Sequence, residues 1–233
     1  MSLQAQFAEG VMTLSLNRPE RLNAIDEGTA RELLDALRQA HRANEVRAVL
    51  MRGNGRSFCA GRDVSEAPTP EILSLVQSVS SAMVECSKPI VMAVHGWVVG
   101  AGVEWMLDGD IVLAARNARF RLPEVELGVF VTGGITAMLP RVAGLARAKA
   151  MLLLGEEFSA EQAQQWGLVW SLVDDALLQR EAELVARRLA SFEPEVISRF
   201  KRVINQMSLA QFAQSIDTES AMQAELMQMQ AKR

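Results

Sequence analysis

The sequence predicts an α/β protein built around one core, on three observations. Residues 46–51, Ile90–Val94 and Ile111–Ala115 are short apolar runs that read as buried strands. The first two run straight into glycine-rich turns, each followed by a helical pattern. From Gly144 onward the pattern is helical, apart from residues 168–173. Strand, turn and helix thus recur over the first two thirds of the chain, and the last third forms a helical layer.

Each element has its own signal. Residues 3–7 alternate, Glu9-Gly10 turns, and Val11–Leu16 alternates again, which reads as a hairpin. Asn17-Arg18-Pro19 breaks that pattern. Asp26 is an N-cap for a helix running to about His41, with Leu33, Leu34, Leu37 and Ala40 on one face. A second helix follows Pro70, and Lys88-Pro89 closes it ahead of the next strand. Residues 118–122 read as a short fourth strand. Ser159 and Gln162 form a capping box. In the Met- and Gln-rich residues 208–233, Phe212, Ile216, Met222, Leu226 and Met229 form an expected apolar face packed on the core or on a neighbouring subunit.

Composition narrows the function classes. The 233 residues are 49 % hydrophobic and 22 % charged, which suits a globular domain with a sizeable core. The net charge is −4, from 24 basic and 28 acidic residues, and there is no long basic run, so nucleic acid is not an expected partner. No apolar run approaches the roughly 18–20 residues of a membrane span, and the N-terminus lacks a signal-peptide pattern. A cytoplasmic location follows by elimination. Cys59 and Cys86 with His41 and His95 do not make a zinc set, so no metal is expected, and the thiols read as plain buried ones.

Two turns resemble each other: Cys59-Ala60-Gly61-Arg62-Asp63 and Val99-Gly100-Ala101-Gly102. Glycines let backbone N–H groups face a ligand, and two such groups aimed at one oxygen make an oxyanion hole. Taken singly, each turn reads first as a tight connection. The spacing of Gly96, Gly100 and Gly102 does not give a dinucleotide fingerprint. Glu104 and Glu124 both lie among apolar residues, where an unpaired carboxylate is costly and its pKa rises. From their surroundings alone they read first as salt-bridged glutamates, with Arg119, Arg121 and Arg141 as available partners.

Together these segments resemble the crotonase (enoyl-CoA hydratase/isomerase) superfamily. Asn17-Arg18-Pro19-Glu20-Arg21-Leu22-Asn23-Ala24 is similar to its NRPxxxNA segment, and Phe58-Cys59-Ala60-Gly61-Arg62-Asp63 to its FxAGxD turn. Lys88-Pro89 through Glu104 resembles the KPxxAAxxGxxxGGGxEL run, and Leu122-Pro123-Glu124 through Gly134 the PExxLGxxPxxGG segment. Gly155 through Val169 resembles TGxxxxAxEAxxxGLV. The resemblance covers residues 5–205.

The resemblance implies a spiral of repeated β-β-α units over residues 1–190. It implies a C-terminal helical trimerisation and cover region over 191–233, shorter than is usual in the family. The implied activity is hydration of a trans-2-enoyl-CoA, with 3-enoyl to 2-enoyl isomerisation as the alternative. A different thioester reaction, or a non-catalytic scaffold on the same fold, also fits the fold alone. Glu104 and Glu124 align with the two hydratase glutamates at the hydratase separation. The N–H groups of Arg62 and Ala101 align with the oxyanion hole. Arg21, Leu22, Ala24, Ala60, Asp63, Val64 and Gly100 are the expected coenzyme A and substrate contacts. Ser65 stands where many members carry a phosphate-binding lysine. No separate cofactor is implied, because coenzyme A arrives with the substrate. A homotrimer or a dimer of trimers is expected. His95 is expected to make a structural hydrogen bond, and Glu126 to point away from Glu124.

Overall fold

Alternation at the N-terminus produces the predicted hairpin. In this computed structural model, which describes residues 1–65 and 69–231, Leu3–Ala8 (β1) pairs antiparallel with Val11–Leu16 (β2). Glu9 and Gly10 turn the chain at φ 51° and 79°, the left-handed pair that a two-residue hairpin needs. The helix α1 (Glu27–Arg42) starts where Asp26 accepts the Thr29 N–H at 2.7 Å. Strand β3 (Ala48–Gly53) lies two residues later than the apolar run suggested. Pairing decides this: β3 aligns with β2 from Val11 opposite Ala48 to Leu16 opposite Gly53.

Thr69 caps α2 (Pro70–Glu85), and β4 (Ile90–Val94) follows as expected. A strand missed in the sequence, β5 (Trp97–Val99), occupies the glycine-rich stretch before α3 (Ala101–Asp108). Then come β6 (Ile111–Ala115), β7 (Arg119–Arg121), α4 (Glu124–Leu127), α5 (Ile135–Ala143) and α6 (Leu145–Leu154). The remainder is β8 (Phe158–Ser159), α7 (Ala160–Gln165), β9 (Ser171–Val173), α8 (Leu178–Ala190), α9 (Pro194–Ser208) and α10 (Phe212–Gln230). The Ser159–Gln162 capping box is present at α7.

Among the described residues, the main sheet runs β1-β2-β3-β4-β6-β9, parallel after the first pair. A second layer repeats the order. Ile25 bridges Arg62, Cys59 bridges Val98, β5 pairs with β7, and β7 with β8. Each turn of the chain therefore supplies a strand to the first layer, a strand or bridge to the second, and a helix. This is the β-β-α spiral of the crotonase fold.

The central strands β3, β4 and β6 are buried on both faces, which is why they read as unbroken apolar runs rather than alternations. Val49, Met51, Met92, Val94 and Ala114 face the principal core. Leu50, Val91, Ala93 and Leu113 face the other way, beneath Leu178, Ala182 and Ala186 of α8. Lys201 pins α9 to this frame. Its buried ammonium donates to Asp110 at 2.7 Å and to the carbonyls of Met83 and Lys88.

The last helix departs from expectation. The buried face of α10 is Phe212, Ser215, Glu219 and Gln223, while Met229 is 55 % exposed. A mainly polar face is buried because α10 lies against loop backbone, whose N–H groups need acceptors. Residues 232 and 233, included in the expected cover region, lie outside the described residues.

Candidate functional site

The two glycine turns meet. Gly61 (φ +84°) sits so close to the second turn that a Cβ there would lie 2.7 Å from the Val99 carbonyl and 3.7 Å from the Ala101 nitrogen. Gly102 is packed equally tightly on Cys59. Ile25 donates to the Gly61 carbonyl and accepts from the Asp63 N–H, so Arg62 between them turns its own N–H away from Ile25. Ala101 is the first residue of α3, where N–H groups have no intrahelical acceptor and carry the positive end of the helix dipole. Arg62 and Ala101 line one cavity of about 100 Å³, together with Glu104 and Glu124. Leu73, Val76, Leu127, Val129 and Phe130 form its apolar wall.

Glu104 is 2 % exposed. Its carboxylate accepts the Thr132 N–H at 3.0 Å and the Thr132 hydroxyl at 3.4 Å. Burial pushes its pKa well above the usual carboxylate range, and Glu124, Glu219 and Asp108 push the same way, while the Thr132 N–H opposes them. Glu124 opens α4 directly after Pro123. Its Oε2 is buried without a hydrogen-bond partner. Oε1 lies where a Cβ on Gly100 would come within 2.8 Å of it. Burial raises the Glu124 pKa to about 7. The charge of Glu124 is one of the contributions that raise Glu104, so the two carboxyls do not titrate independently.

The arginines near these glutamates serve other acids. Arg121 forms a two-pronged pair with Glu126 at 2.6 and 2.7 Å, and Arg119 pairs with Glu157. The reading of Glu104 and Glu124 as salt-bridged residues does not hold: neither has an ion pair among those described. Glu126 is spent on Arg121 at the surface. His95 contacts the Gly55 carbonyl through Nε2 at 2.9 Å, as a structural role requires. Cys59 and Cys86 are buried and unpaired with each other, and burial pushes the Cys59 thiol up to about 12.

The expected substrate contacts divide. Ala60, Val64 and Gly100 line the cavity beside Arg62 and Ala101. Arg21, Leu22, Ala24 and Asp63 do not. Arg21, Leu22 and Ala24 sit on the adjoining loop, joined to the lining by the Ala60 N–H donating to the Leu22 carbonyl at 3.0 Å, and Asp63 stands between the lining residues Arg62 and Val64. The Asp63 carboxylate is occupied by Arg18 at 3.1 Å and by Ser65, which hold its pKa down to about 2, with the Ser65 bonds first. Ser65 in place of a lysine thus braces Asp63.

Several residues of the site were not singled out in the sequence. Arg18 ties Asp63 to Asp26 and to the Ala24 carbonyl. Asn23, 1 % exposed, donates to the carbonyls of Asn54 and Ser57 and accepts the Arg18 N–H. Gln223 of α10 lines the cavity and accepts the Phe130 N–H at 2.5 Å. Glu219 accepts from Gly134 and Thr136. For Glu219 and Gln223 the only available signal was polar residues spaced four apart in an otherwise Met-rich helix.

Two helix- and turn-borne backbone segments and two raised carboxyls thus surround one cleft. Comparison with known proteins gives the family. The enoyl-CoA hydratase/isomerase profile matches residues 6–233, and the chain belongs to this family of the crotonase superfamily. It is 39 % identical over 221 residues to 1,2-epoxyphenylacetyl-CoA isomerase of Escherichia coli K12, covering 91 % of this chain and 84 % of that protein. It is 33 % identical over 200 residues to 2,3-dehydroadipyl-CoA hydratase of the same strain, covering 84 % and 78 %. The crystal structure of an enoyl-CoA hydratase from Mycobacterium avium subsp. paratuberculosis K-10 superposes with a TM-score of 0.92 at 30 % identity, covering 97 % of this chain and 90 % of that one.

Proposed function

We propose that the protein is an enoyl-CoA hydratase, adding water syn across the double bond of a trans-2-enoyl-CoA to give the 3-hydroxyacyl-CoA. The observation that carries this reading is the presence of two buried carboxyls, Glu104 and Glu124, on the cavity that also holds Arg62 and Ala101. An isomerase needs one proton shuttle; adding water needs a group to take the water's proton and one to protonate carbon.

In this reading the thioester oxygen sits between the Arg62 and Ala101 N–H groups. Water attacks C3, and charge gathers on that oxygen as an enolate. Two fixed donors stabilise it; loss of one such donor costs about 3–4 kcal/mol in other enzymes. Glu104, whose ionised form accepts the Thr132 N–H against the burial that disfavours it, takes a proton from the water. Glu124 gives its proton to C2. The pair ends with its single proton on the other member and resets by exchange with solvent. Coenzyme A runs along the loop of Arg21, Leu22 and Ala24, past Ala60 and Val64, with Asp63 bracing the turn. A homotrimer or dimer of trimers is part of the proposal. The exposed apolar side chains Val196, Phe200, Val203 and Met207 of α9 support a protein interface.

The second reading is 3-enoyl to 2-enoyl isomerisation. It is favoured by the free Oε2 of Glu124 and its pKa of about 7, suited to moving one proton between C2 and C4. Following the conjugated thioester absorbance of crotonyl-CoA separates the two. The hydratase reading expects the absorbance to fall with the wild type, and Glu104→Gln to lose on the order of 10²-fold or more in kcat. Undiminished hydration by Glu104→Gln, or conversion of a 3-enoyl-CoA without any hydration of crotonyl-CoA, overturns it.

A further inference from the structure

Residues 128–134 link α4 to α5, and from Gly128 to Thr136, in the first turn of α5, side chains grip the backbone at every second residue. Gln230 donates to the Gly128 carbonyl at 2.7 Å, and Gln223 accepts from the Phe130 N–H. Glu104 accepts from the Thr132 N–H at 3.0 Å. Glu219 takes the Gly134 N–H on Oε2 at 2.7 Å and the Thr136 N–H on Oε1 at 2.9 Å. The outer grips all come from α10, and the central one is Glu104. Gly133 completes the fit, since a Cβ there would lie 2.8 Å from Glu104 Oε2.

We propose that Glu219 is a positioning residue for Glu104: by clamping the segment beside Thr132, it fixes the backbone N–H that aims the Glu104 carboxylate into the cavity. The inference rests on the reading of Glu104 as a proton acceptor. Glu219 is fully buried and accepts from the Thr136 hydroxyl at 2.7 Å and the Ser215 hydroxyl at 3.0 Å as well as from the two N–H groups. It also caps the N-terminus of α5, which has no side-chain cap of its own at Gly134. Only a carboxylate can accept on both oxygens; an amide turns an NH₂ towards one of the two backbone donors. The charged groups around Glu104 are Glu124 from α4, Glu219 from α10 and Asp108 from its own helix. Glu219 is thus both a geometric brace and one of the negative charges that raise the Glu104 pKa.

The test uses the full chain with ¹³C-labelled glutamate and ¹⁵N-labelled backbone. The Glu104 carboxyl signal is identified by its loss in Glu104→Gln. In Glu219→Gln the Thr132 amide resonance is expected to shift, and this is the deciding reading, because loss of the Glu219 charge lowers the Glu104 titration while a displaced Thr132 N–H raises it. For crotonyl-CoA hydration, kcat is expected to fall on the order of tenfold while KM moves less than about twofold, because Glu219 does not reach the cavity. Ser220→Ala removes a tie between α10 and α2, the 2.7 Å bond from Gln77, without touching the segment, and should leave the Glu104 titration in place. If Glu219→Gln does not fold, Ser215→Ala withdraws one donor from Glu219 and should move the Thr132 resonance in the same way. An unmoved Thr132 amide, whatever the Glu104 titration does, leaves Glu219 as a helix cap and a nearby charge only and overturns the proposal. A wild type that hydrates no enoyl-CoA removes the hydratase reading instead, while the substrate-free Thr132 amide resonance still decides the role of Glu219.

Discussion

Folding disfavours the ionised form of Glu124. Its pKa rises from 4.5 towards about 7 through burial, and no partner relieves Oε2. A raised pKa means that the native state prefers the protonated acid. Its contribution to stability is therefore full below about pH 4.5 and is lost as pH rises through about 7. Glu124→Gln is expected to match the wild type in thermal unfolding at pH 5 and to exceed it at pH 8, by about 2–3 kcal/mol. Equal stabilities at pH 8 would mean that the carboxyl is better solvated than its burial indicates. At this scale the candidate pair was legible only through the family resemblance, because the apolar neighbours of each glutamate read first as the setting of a salt-bridged residue. Glu219, Gln223, Arg18 and Asn23 were not, because their partners are mainly backbone groups brought close by the fold. Nothing in the local sequence marks such a partner.

At the scale of elements, the turn from β5 into α3 carries the site. Gly100 adopts φ +53°, and a Cβ would collide with Glu124 at 2.8 Å. Gly100→Ala is expected to cost about 1–3 kcal/mol in stability and to displace Glu124. Chemical denaturation together with a pH–rate profile would show both effects. Asp110, just beyond α3, depends on Lys201 of α9 across the chain. Lys201→Met leaves a partly exposed carboxylate without its ion-pair partner, and a loss of about 1–3 kcal/mol in unfolding free energy is expected. The strands and long helices followed from apolar runs and caps, with ends shifted by pairing register. The short strand β5 was hidden inside a glycine-rich stretch, because three residues carry too little pattern to distinguish a strand from a turn. The buried face of α10 was half assigned. Phe212 and Ile216 pack on the core as expected, but beyond them α10 lies along a loop, and Glu219 and Gln223 replace the expected Met222, Leu226 and Met229.

At the scale of the molecule, the spiral brings three distant pieces of chain to one cleft. The Arg62 turn, the α3 N-terminus and the Glu124 segment meet because successive strands of the second layer stack beside one another. The helix α10 then closes over the segment that holds Glu104. The account turns on whether one thioester can occupy the space that these pieces surround. The measurement that tests this most directly is a structure of the wild type with a non-hydratable enoyl-CoA thioester analogue. The account predicts the thioester oxygen within about 2.7–3.1 Å of both the Arg62 and Ala101 nitrogens. It also predicts C3 and C2 of the acyl chain facing Glu104 and Glu124. A thioester bound away from those two nitrogens, or an acyl chain pointing away from both carboxyls, would contradict it.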